Sequence, residues 1–351
     1  MPTRIEPISC PVLDSAGADC ITLAHGEGGR LMRKLIHEQI IPAVENDFLH
    51  PTDDAAVLPS CRGQLAMSTD SFVVSPLFFP GGDIGSLAVY GTVNDLAVSG
   101  AHPLWISLAL ILEEGLELAV LKRVLASVAA AAERVGVRVV TGDTKVVPRG
   151  AADKLFINTT GIGEILGAAP PGPRSLEVGD ELIVTGPIGQ HGMAVMVARE
   201  GLAFEPPPTS DSAPLVEAVE ALRNADLPVC SLRDATRGGL AAVLHEWAEA
   251  SEKTVLVKEE SLPVTDEVRG VCELLGLDPI HVANEGTMVV AVQEGFADAT
   301  LHALAAVAGS MHAAVIGKVR ARGLAPVVVE RLAGSVVPLD EPVGAPLPRI
   351  C

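Results

Sequence analysis

Four acidic clusters in the first half of the chain could hold a metal ion. Carboxylate oxygens are the ligands that Mg²⁺ prefers, and three of the clusters stand at predicted strand ends or in turns, where side chains can converge. The fourth interrupts an apolar helix with residues that are poor helix formers. One such cluster is typically an Asx cap, but four together favour magnesium. The clusters comprise Asp53, Asp54, Asp70, Asn94, Asp95 and Asp143.

Two glycine-containing loops could hold phosphate. The stretch "HGEGG", His25 to Gly29, precedes a predicted helix, so backbone N–H groups and the helix dipole could meet an anion there. The stretch "DATRGGL", Asp234 to Leu240, repeats the arrangement and adds the Arg237 fork. The first loop lacks the Walker spacing, so a plain helix-initiating turn is an equally good interpretation of it. For the second loop, a buried helix cap is an equally good interpretation. The candidates in the first loop are His25, Gly26, Gly28 and Gly29.

Two further side chains could move a proton. Lys145 follows Asp143 by two residues, and a desolvated lysine can release its proton, whereas an arginine effectively cannot. Glu285, in "ANEGT", precedes a glycine and a predicted strand, a position that suits a carboxylate at the rim of a site. A solvated surface charge is the alternative interpretation of both residues.

The chain ends in "EPVGAPLPRIC", so Cys351 is its last residue. Three prolines, Pro342, Pro346 and Pro348, exclude a helix here and favour a stiff, extended arm that presents the thiol. A frayed terminus with a passive cysteine is the alternative.

The elements that must position these residues follow from the periodicity. Alternating, β-branched residues at 52–59 and 64–74 predict strands of a sheet. Further strands are predicted at 102–112, 137–144 and 155–165, and helices at 85–101 and 118–136. A Pro/Gly cluster at 167–180 marks a linker. A second α/β unit follows it, with strands at 181–186, 286–292 and 325–332 and a turn and helix at 232–250.

Composition narrows the function. At 351 residues the chain has room for about two domains. A net charge of −19 and 3% aromatic residues argue against nucleic acid as a partner. The longest apolar run, 104–112, is too short to span a membrane. No signal peptide is recognisable and the six cysteines form no CxxC pair, which together predict a cytoplasmic protein with reduced thiols.

The motifs together resemble a known family. "AHGEGG", "GTVNDLAVSGA", "VTGDTK", "LRDATRGGL", "ANEG" and the terminal "PLPRIC" closely resemble the HypE hydrogenase maturation factors, over residues 21 to 351. The ATP-site motifs are shared with the aminoimidazole ribonucleotide synthetase (PurM-like) superfamily, whereas "PRIC" is specific to HypE. The resemblance implies an α+β, two-domain PurM-like fold with mixed sheets flanked by helices. We expect a disordered leader (1–20), an ATP- and Mg-binding domain (21–168), a second PurM-like domain (176–335) and a mobile tail (336–351).

The resemblance also implies an activity. Members of the family are carbamoyl dehydratases: HypF places a carbamoyl group on the terminal cysteine, here Cys351, and ATP is then used to convert it to a thiocyanate. The cyanide passes to iron on the HypC–HypD complex, for [NiFe]-hydrogenase. By the resemblance, the acidic residues and Asn94 contact nucleotide and Mg²⁺, and the His25–Gly29 loop covers the phosphates. Lys145 and Glu285 are both candidates to remove the amide protons, and the sequence does not choose between them.

Superfamily members pair their first-domain sheets, so the resemblance further implies a homodimer. Two alternatives from other classes stay open. A non-catalytic thiol carrier would use the tail for transport alone, and a small-molecule kinase of the thiamine-phosphate or selenophosphate synthetase type would keep the ATP motifs without needing "PRIC".

Overall fold

The computed structural model describes residues 19–50 and 53–342, and these form two large sheets with helices packed on them, together with one small two-stranded sheet. The predicted thiol, Cys351, and the predicted leader up to residue 18 lie outside the described residues. The first domain contains, in chain order, α1 (Arg30–Leu35), α2 (Ile41–Ala43), β1 (Gln64–Phe72), β2 (Phe78–Phe79), β3 (Gly82–Asp83), α3 (Ile84–Val98), β4 (His102–Glu113), α4 (Leu118–Val135), β5 (Arg138–Val147) and β6 (Leu155–Ile165).

Four of these strands form one sheet in the order β1-β6-β4-β5. β6 runs antiparallel to both β1 and β4, and β5 runs parallel to β4 after the α4 crossover. The predicted strands for these four segments are therefore confirmed. The strand predicted at 52–59 is wrong: residues 53–61 form bends and irregular chain, because they follow Pro51 and lack a partner strand among the described residues.

α3 is buried on nearly every side, which explains why its sequence shows no polar face. Asp83 caps it by accepting hydrogen bonds from Gly85 N (2.8 Å) and Ser86 N (3.2 Å). α4 lies against α3 and has the ordinary amphipathic pattern, with Leu121 and Val124 buried and its opposite face in solvent. α3 thus forms the centre of the domain, and its polar residues stand out for that reason.

The two faces of the first sheet have different surroundings because side chains alternate along a strand. Asp70 lies on the face that packs against α3. Asp143 shares a cross-strand row with Ser71, one residue along, and so lies on the opposite face. That open face also carries Leu65 and Met67, whose exposed fractions are 59% and 70%. Large apolar side chains on an open sheet suggest a surface that another molecule covers.

The second domain is a seven-stranded mixed sheet in the order β13-β12-β9-β11-β7-β10-β8. Its elements are β7 (Glu181–Val184), α5 (Gln190–Glu200), α6 (Val216–Asn224), β8 (Val229–Asp234), α7 (Gly239–Ser251), β9 (Thr254–Lys258), α8 (Asp266–Leu275), β10 (Met288–Val292), α9 (Ala297–Ala305), β11 (Ala314–Arg320), β12 (Val327–Glu330) and β13 (Val336–Pro338). The strands predicted at β7, β10 and β12 are confirmed, whereas β8, β9, β11 and β13 were not predicted. The turn and helix predicted at 232–250 is correct for α7, but its first residues, 232–234, belong to β8.

β13 changes the boundary expected for the tail. The sequence predicts a mobile tail from residue 336, but Val336–Pro338 pairs antiparallel with β12. At the other end, Asp19 accepts a hydrogen bond from Leu118 N at 2.7 Å, so the predicted leader (1–20) also includes residues that contact the domain. No helix in the described part of the chain is long and apolar enough to cross a membrane.

Candidate active site

Asp70 and Asp95 meet on the helix-packed face of the first sheet. Asp70 lies near the end of β1 and shares a hydrogen bond with Asp95 of α3, whose Oδ2 also accepts one from Ser68 Oγ at 2.5 Å. Burial, together with the charge of Asp95, raises the pKa of Asp70 to about 6. Two carboxylates this close repel each other, so their site attracts positive charge.

The second domain brings two more carboxyl groups to the same place. Burial, then the charge of Asp95, raises the pKa of Asp234, at the end of β8, to about 6. Burial, then the charges of Asp234 and Asp211, raises the pKa of Glu285 well above its usual range. The positive charge of Arg237 opposes the shifts of Asp70 and Glu285. We call Asp70, Asp95, Asp234, Arg237 and Glu285 the junction group, because both domains contribute to it.

Asn94 connects the two domains beside this group. Its Nδ2 donates to the backbone oxygens of Ala213 (3.0 Å) and Glu285 (3.3 Å), and its Oδ1 accepts from Leu215 N (2.8 Å). The side chain is buried, and these partners all belong to the protein. The bridge between the domains thus explains why an asparagine, a poor helix former, stands in α3. A contact between Asn94 and nucleotide stays a prediction.

Asp211 shapes the turn that carries Glu285. Its carboxylate accepts hydrogen bonds from Glu285 N (3.1 Å) and Gly286 N (3.0 Å), and a Cβ at Gly286 would lie 1.8 Å from Asp211 O. Only glycine fits this close approach, so the turn holds Glu285 at the junction. Sequence reasoning missed Asp211, because "TSDSAP" has neither periodicity nor a motif; the turn residues around it were the one available signal.

The other predicted residues gather around β5, at the far edge of the sheet. Lys145 Nζ lies 3.3 Å from Asp143 Oδ2, and the two side chains are 66% and 58% exposed. Asp143 and Asp53 both line a cavity of about 530 Å³ whose apolar wall includes Phe48 and Val57. The neighbouring Asp54 is exposed. A cavity with one apolar wall and one charged wall suits a ligand that has both characters.

The predicted glycine loop also borders β5. A Cβ at Gly26 would lie 2.9 Å from Val146 Cβ, whereas one at Gly28 or Gly29 would meet nothing within 4 Å. The backbone at Gly28 and Gly29 is therefore open to an approaching anion, and Gly28 has a φ of +72°. His25 is half-buried, and its Nδ1 accepts a hydrogen bond from Thr22 N at 3.1 Å. We call the His25–Gly29 loop, Asp53, Asp143 and Lys145 the β5 group.

One copy of the chain does not bring the five predicted metal ligands together. Asp70 and Asp143 lie on opposite edges and opposite faces of the sheet, three strand spacings or roughly 14 Å apart. In the described part of the chain no three His, Cys, Asp or Glu side chains could hold a metal ion by themselves. The pair Asp70 and Asp95 nevertheless fits Mg²⁺, which usually takes one or two carboxylates and completes its shell with phosphate and water.

Comparisons with known proteins identify the class. Residues 52–165 match the N-terminal domain, and residues 177–329 the C-terminal domain, of AIR synthase related proteins. The chain therefore has both domains of this two-domain class.

Individual relatives narrow the class. The chain is 47% identical to "Carbamoyl dehydratase HypE" of Escherichia coli (strain K12) over 337 residues, 94% of this chain and 99% of the relative. A crystal structure of hydrogenase maturation protein HypE in complex with ATP superposes with a TM-score of 0.89 at 45% identity, covering 94% and 99% of the two chains. A HypE–HypF complex gives 0.77 at 43% identity, covering 88% and 99%. The chain belongs to the HypE family of carbamoyl dehydratases.

Proposed function

We propose that the chain is a carbamoyl dehydratase that uses ATP to dehydrate a carbamoyl group carried on its own Cys351. One geometric observation carries the proposal. A Cβ at Gly238 would lie 3.7 Å from Pro342 Cγ, so the last described residue lies against the loop that holds Arg237. Nine residues follow Pro342, and an extended chain of that length reaches roughly 30 Å, which is ample for the junction group.

The chemistry is a balanced loss of water from a thiocarbamate. The carboxamide oxygen attacks the terminal phosphoryl group of ATP, ADP leaves, and the nitrogen gives up one proton. The C–O bond then breaks, phosphate leaves with that oxygen, and the second N–H proton is removed as the C≡N bond forms. An amide oxygen leaves poorly without phosphorylation, so the ATP step and the proton acceptor are both required.

We assign the proton acceptor to Glu285. Its carboxyl group is buried at the junction, and burial holds its pKa well above the usual range. A carboxylate with a raised pKa is a stronger base, and a base near neutral pKa serves proton transfer best. Lys145, exposed beside Asp143, is better suited to hold phosphate charge than to take a proton.

Mg²⁺ is part of the proposal. Asp70 and Asp95 would hold one ion, and Asp53, Asp54 and Asp143 would offer oxygens on the β5 side. When bound, the ion neutralises charge that develops on the transferred phosphoryl group. Arg237 and the Gly28–Gly29 backbone would orient the phosphates, because each presents N–H donors to an anion.

The predicted site residues lie in two separate groups within one copy of the chain, and this separation favours a homodimer in which two copies share a site. If the first-domain sheets of two copies pair through their open faces, the β5 group of one copy can complete the junction group of the other. Leu65 and Met67 supply an apolar surface for such pairing. Asp54 and Asn94 would then contact nucleotide within this shared site.

Two partners are proposed. A relative 43% identical to this chain has been solved as a HypE–HypF complex, which supports HypF as the donor of the carbamoyl group. The HypC–HypD complex, with iron as the acceptor of cyanide, follows from the family chemistry. Both interactions fit the predicted cytoplasmic location.

Intact mass spectrometry tests the function. The chain is incubated with HypF, carbamoyl phosphate and ATP, and the mass of the protein is followed with time. We expect a carbamoyl adduct that becomes lighter by one water only when ATP is present. A persistent adduct would support a passive carrier, and ATP turnover that survives removal of residues 343–351 would support a small-molecule kinase.

A further inference from the structure

The turn that carries Glu285 lies between two other loops of the second domain. β10 stands between β7 and β8 and runs antiparallel to both, so the start of β10 lies beside the ends of these two strands. A side chain in the loop before β10 can therefore reach the loop after β7 on one side and the loop after β8 on the other. Asn284 occupies this place, one residue before Glu285.

Asn284 has no exposed surface, and its side chain hydrogen-bonds both loops. Its Oδ1 accepts from Gly189 N, just before α5, at 2.6 Å. Its Nδ2 donates to Ala235 O, in the loop after β8, at 2.9 Å, and to Val282 O at 3.3 Å. A backbone N–H can only donate and a backbone carbonyl can only accept, so these partners fix the direction in which the amide faces.

Ala235 is the residue on which the turn closes. Its carbonyl oxygen accepts a second hydrogen bond, from the backbone N–H of Asn284 at 3.0 Å. Its own N–H donates to Thr287 O, also at 3.0 Å. The residue that follows Asp234 is therefore joined to both ends of the turn that carries Glu285.

The other backbone donors of the turn also have fixed partners. Glu285 N and Gly286 N donate to the carboxylate of Asp211, at 3.1 and 3.0 Å. Together with the bond from Asn284 N to Ala235 O, three successive N–H groups are held. A turn held at each of these groups sets the place of the side chain that it carries.

The two side-chain contacts of Asn284 need a donor and an acceptor on one short side chain, which is what its amide supplies. An aspartate would accept from Gly189 N but would place a carboxylate oxygen against Ala235 O. An alanine would leave two buried backbone groups without this partner, and an unpaired buried group is costly. The amide is thus the link between the two flanking loops and the turn.

We propose that Asn284 is a positioning residue for the dehydration step: its amide holds the two flanking loops against the turn and so fixes the carboxyl group of Glu285 where it takes protons. The inference rests on the proposed function, with Glu285 as the proton acceptor. A displacement of a reacting group by about 1 Å can slow its reaction by about 10²-fold, although no reacting group is lost.

Intact mass in a single turnover tests this role. Wild type and Asn284→Ala are each carbamoylated by HypF and carbamoyl phosphate and then given saturating ATP, and the rate of water loss is followed. We expect Asn284→Ala to lose water about 10²-fold more slowly, because the carboxyl group of Glu285 is no longer held in place. Carbamoylation should be unchanged, since it uses the active site of HypF.

Thr254→Ala separates positioning from a general loss of stability. Thr254 is also buried, donates to Ala325 O at 2.9 Å and accepts from Gly323 N at 2.8 Å. It stands at the start of β9, at the end of the sheet away from the turn. Thr254→Ala should lower the midpoint of urea denaturation, as Asn284→Ala does, but leave water loss within about twofold of wild type.

A double-mutant cycle tests whether Asn284 acts through Glu285. In a chain that already carries Glu285→Gln, the group that Asn284 positions no longer takes a proton. Asn284→Ala should therefore slow water loss by less than about threefold further in that chain. A residue with a merely structural role would slow both chains by the same factor.

Three results would overturn the inference and leave the proposed function intact: water loss at the wild-type rate in Asn284→Ala, an equal factor in both chains of the cycle, or an equal loss in Thr254→Ala. If Asn284→Ala does not fold, Asn284→Ser decides in its place, because its hydroxyl keeps one of the two contacts; it should be at least about threefold slower than wild type. A wild-type chain that never loses water would instead overturn the proposed function, and normal water loss by Glu285→Gln its proton acceptor; the inference would fall with either.

Discussion

The junction group and the β5 group both contain carboxylates, but these side chains are buried or half-buried at the junction and exposed at β5. At the junction, Asp234 and Glu285 are buried, and burial raises the pKa of each. At β5, Asp143 and Lys145 form an ion pair in solvent. Buried carboxylates are sensitive to every neighbouring charge, whereas exposed pairs are screened and contribute little to stability. The junction is therefore suited to handling protons, and β5 to meeting a charged ligand from solution.

Glu285→Gln should have the largest effect. The amide keeps the shape of the side chain but cannot accept a proton, so we expect water loss from the carbamoyl adduct to fall by about 10³-fold. Carbamoylation of Cys351 should proceed normally, since it uses the active site of HypF. Mass spectrometry with and without ATP measures both steps. Glu273→Gln, on the exposed side of α8, is the matched control. Normal dehydration by Glu285→Gln would move the proton transfer to Lys145.

Asn94→Ala tests whether the junction depends on its bridge between domains. The change leaves the backbone groups of Ala213, Glu285 and Leu215 without their partner in a buried place. We expect the free energy of unfolding to fall by about 3 kcal/mol, measured by urea denaturation. Asn224→Ala, at an exposed position, should change it by less than about 0.5 kcal/mol. Equal stability of the two variants would contradict the bridge.

Substitutions of Lys145 test whether the exposed β5 group holds the charge of a phosphate. If its charge holds phosphate, Lys145→Ala should slow ATP-dependent water loss by about 10²-fold, and Lys145→Arg should recover most of that loss. Single-turnover mass measurements at saturating ATP give both rates. A lysine that instead moves a proton would leave the Arg variant as slow as the Ala variant, because arginine stays protonated.

Charge removal should change stability at the junction but not at β5. The pKa of Asp234 is raised to about 6 in the folded chain, so the folded state binds more protons than the unfolded state between about pH 4 and pH 6. Stability therefore falls as pH rises through that window. Asp234→Asn removes this penalty and should be more stable than wild type by about 2 kcal/mol at pH 8, with no advantage at pH 4.

The matched variant is Asp143→Asn, whose parent side chain is 58% exposed. Urea denaturation at pH 4, 6 and 8 without nucleotide or metal should give nearly the same values for it as for wild type. An equal pH-dependent gain in both variants would remove the distinction between the two groups.

Much of the architecture could be predicted because the signals are local. The alternation in β1 and the apolar run in β4 identified strands, and Asn94 and Asp95 stood out in an apolar helix. The strand expected at 52–59 failed, since β-branched composition without a partner strand does not form a sheet.

The arrangement of the site could not be predicted from the same signals. Asp70 and Asp143 were expected to converge, but which face each occupies depends on strand register, and register depends on pairing with distant segments. The contacts of Asp211 with Glu285 and Gly286 join segments far apart in sequence. Local patterns carry no information about such contacts.

The unpaired edge of β1 has a consequence for the newly synthesised chain. Among the described residues β1 pairs only with β6, so its other side offers free backbone donors and acceptors beside Leu65 and Met67. Such an edge is a template for uncontrolled strand addition. A newly synthesised chain that presents this edge is therefore open to strand addition by another chain, and the risk rises with the concentration of such chains.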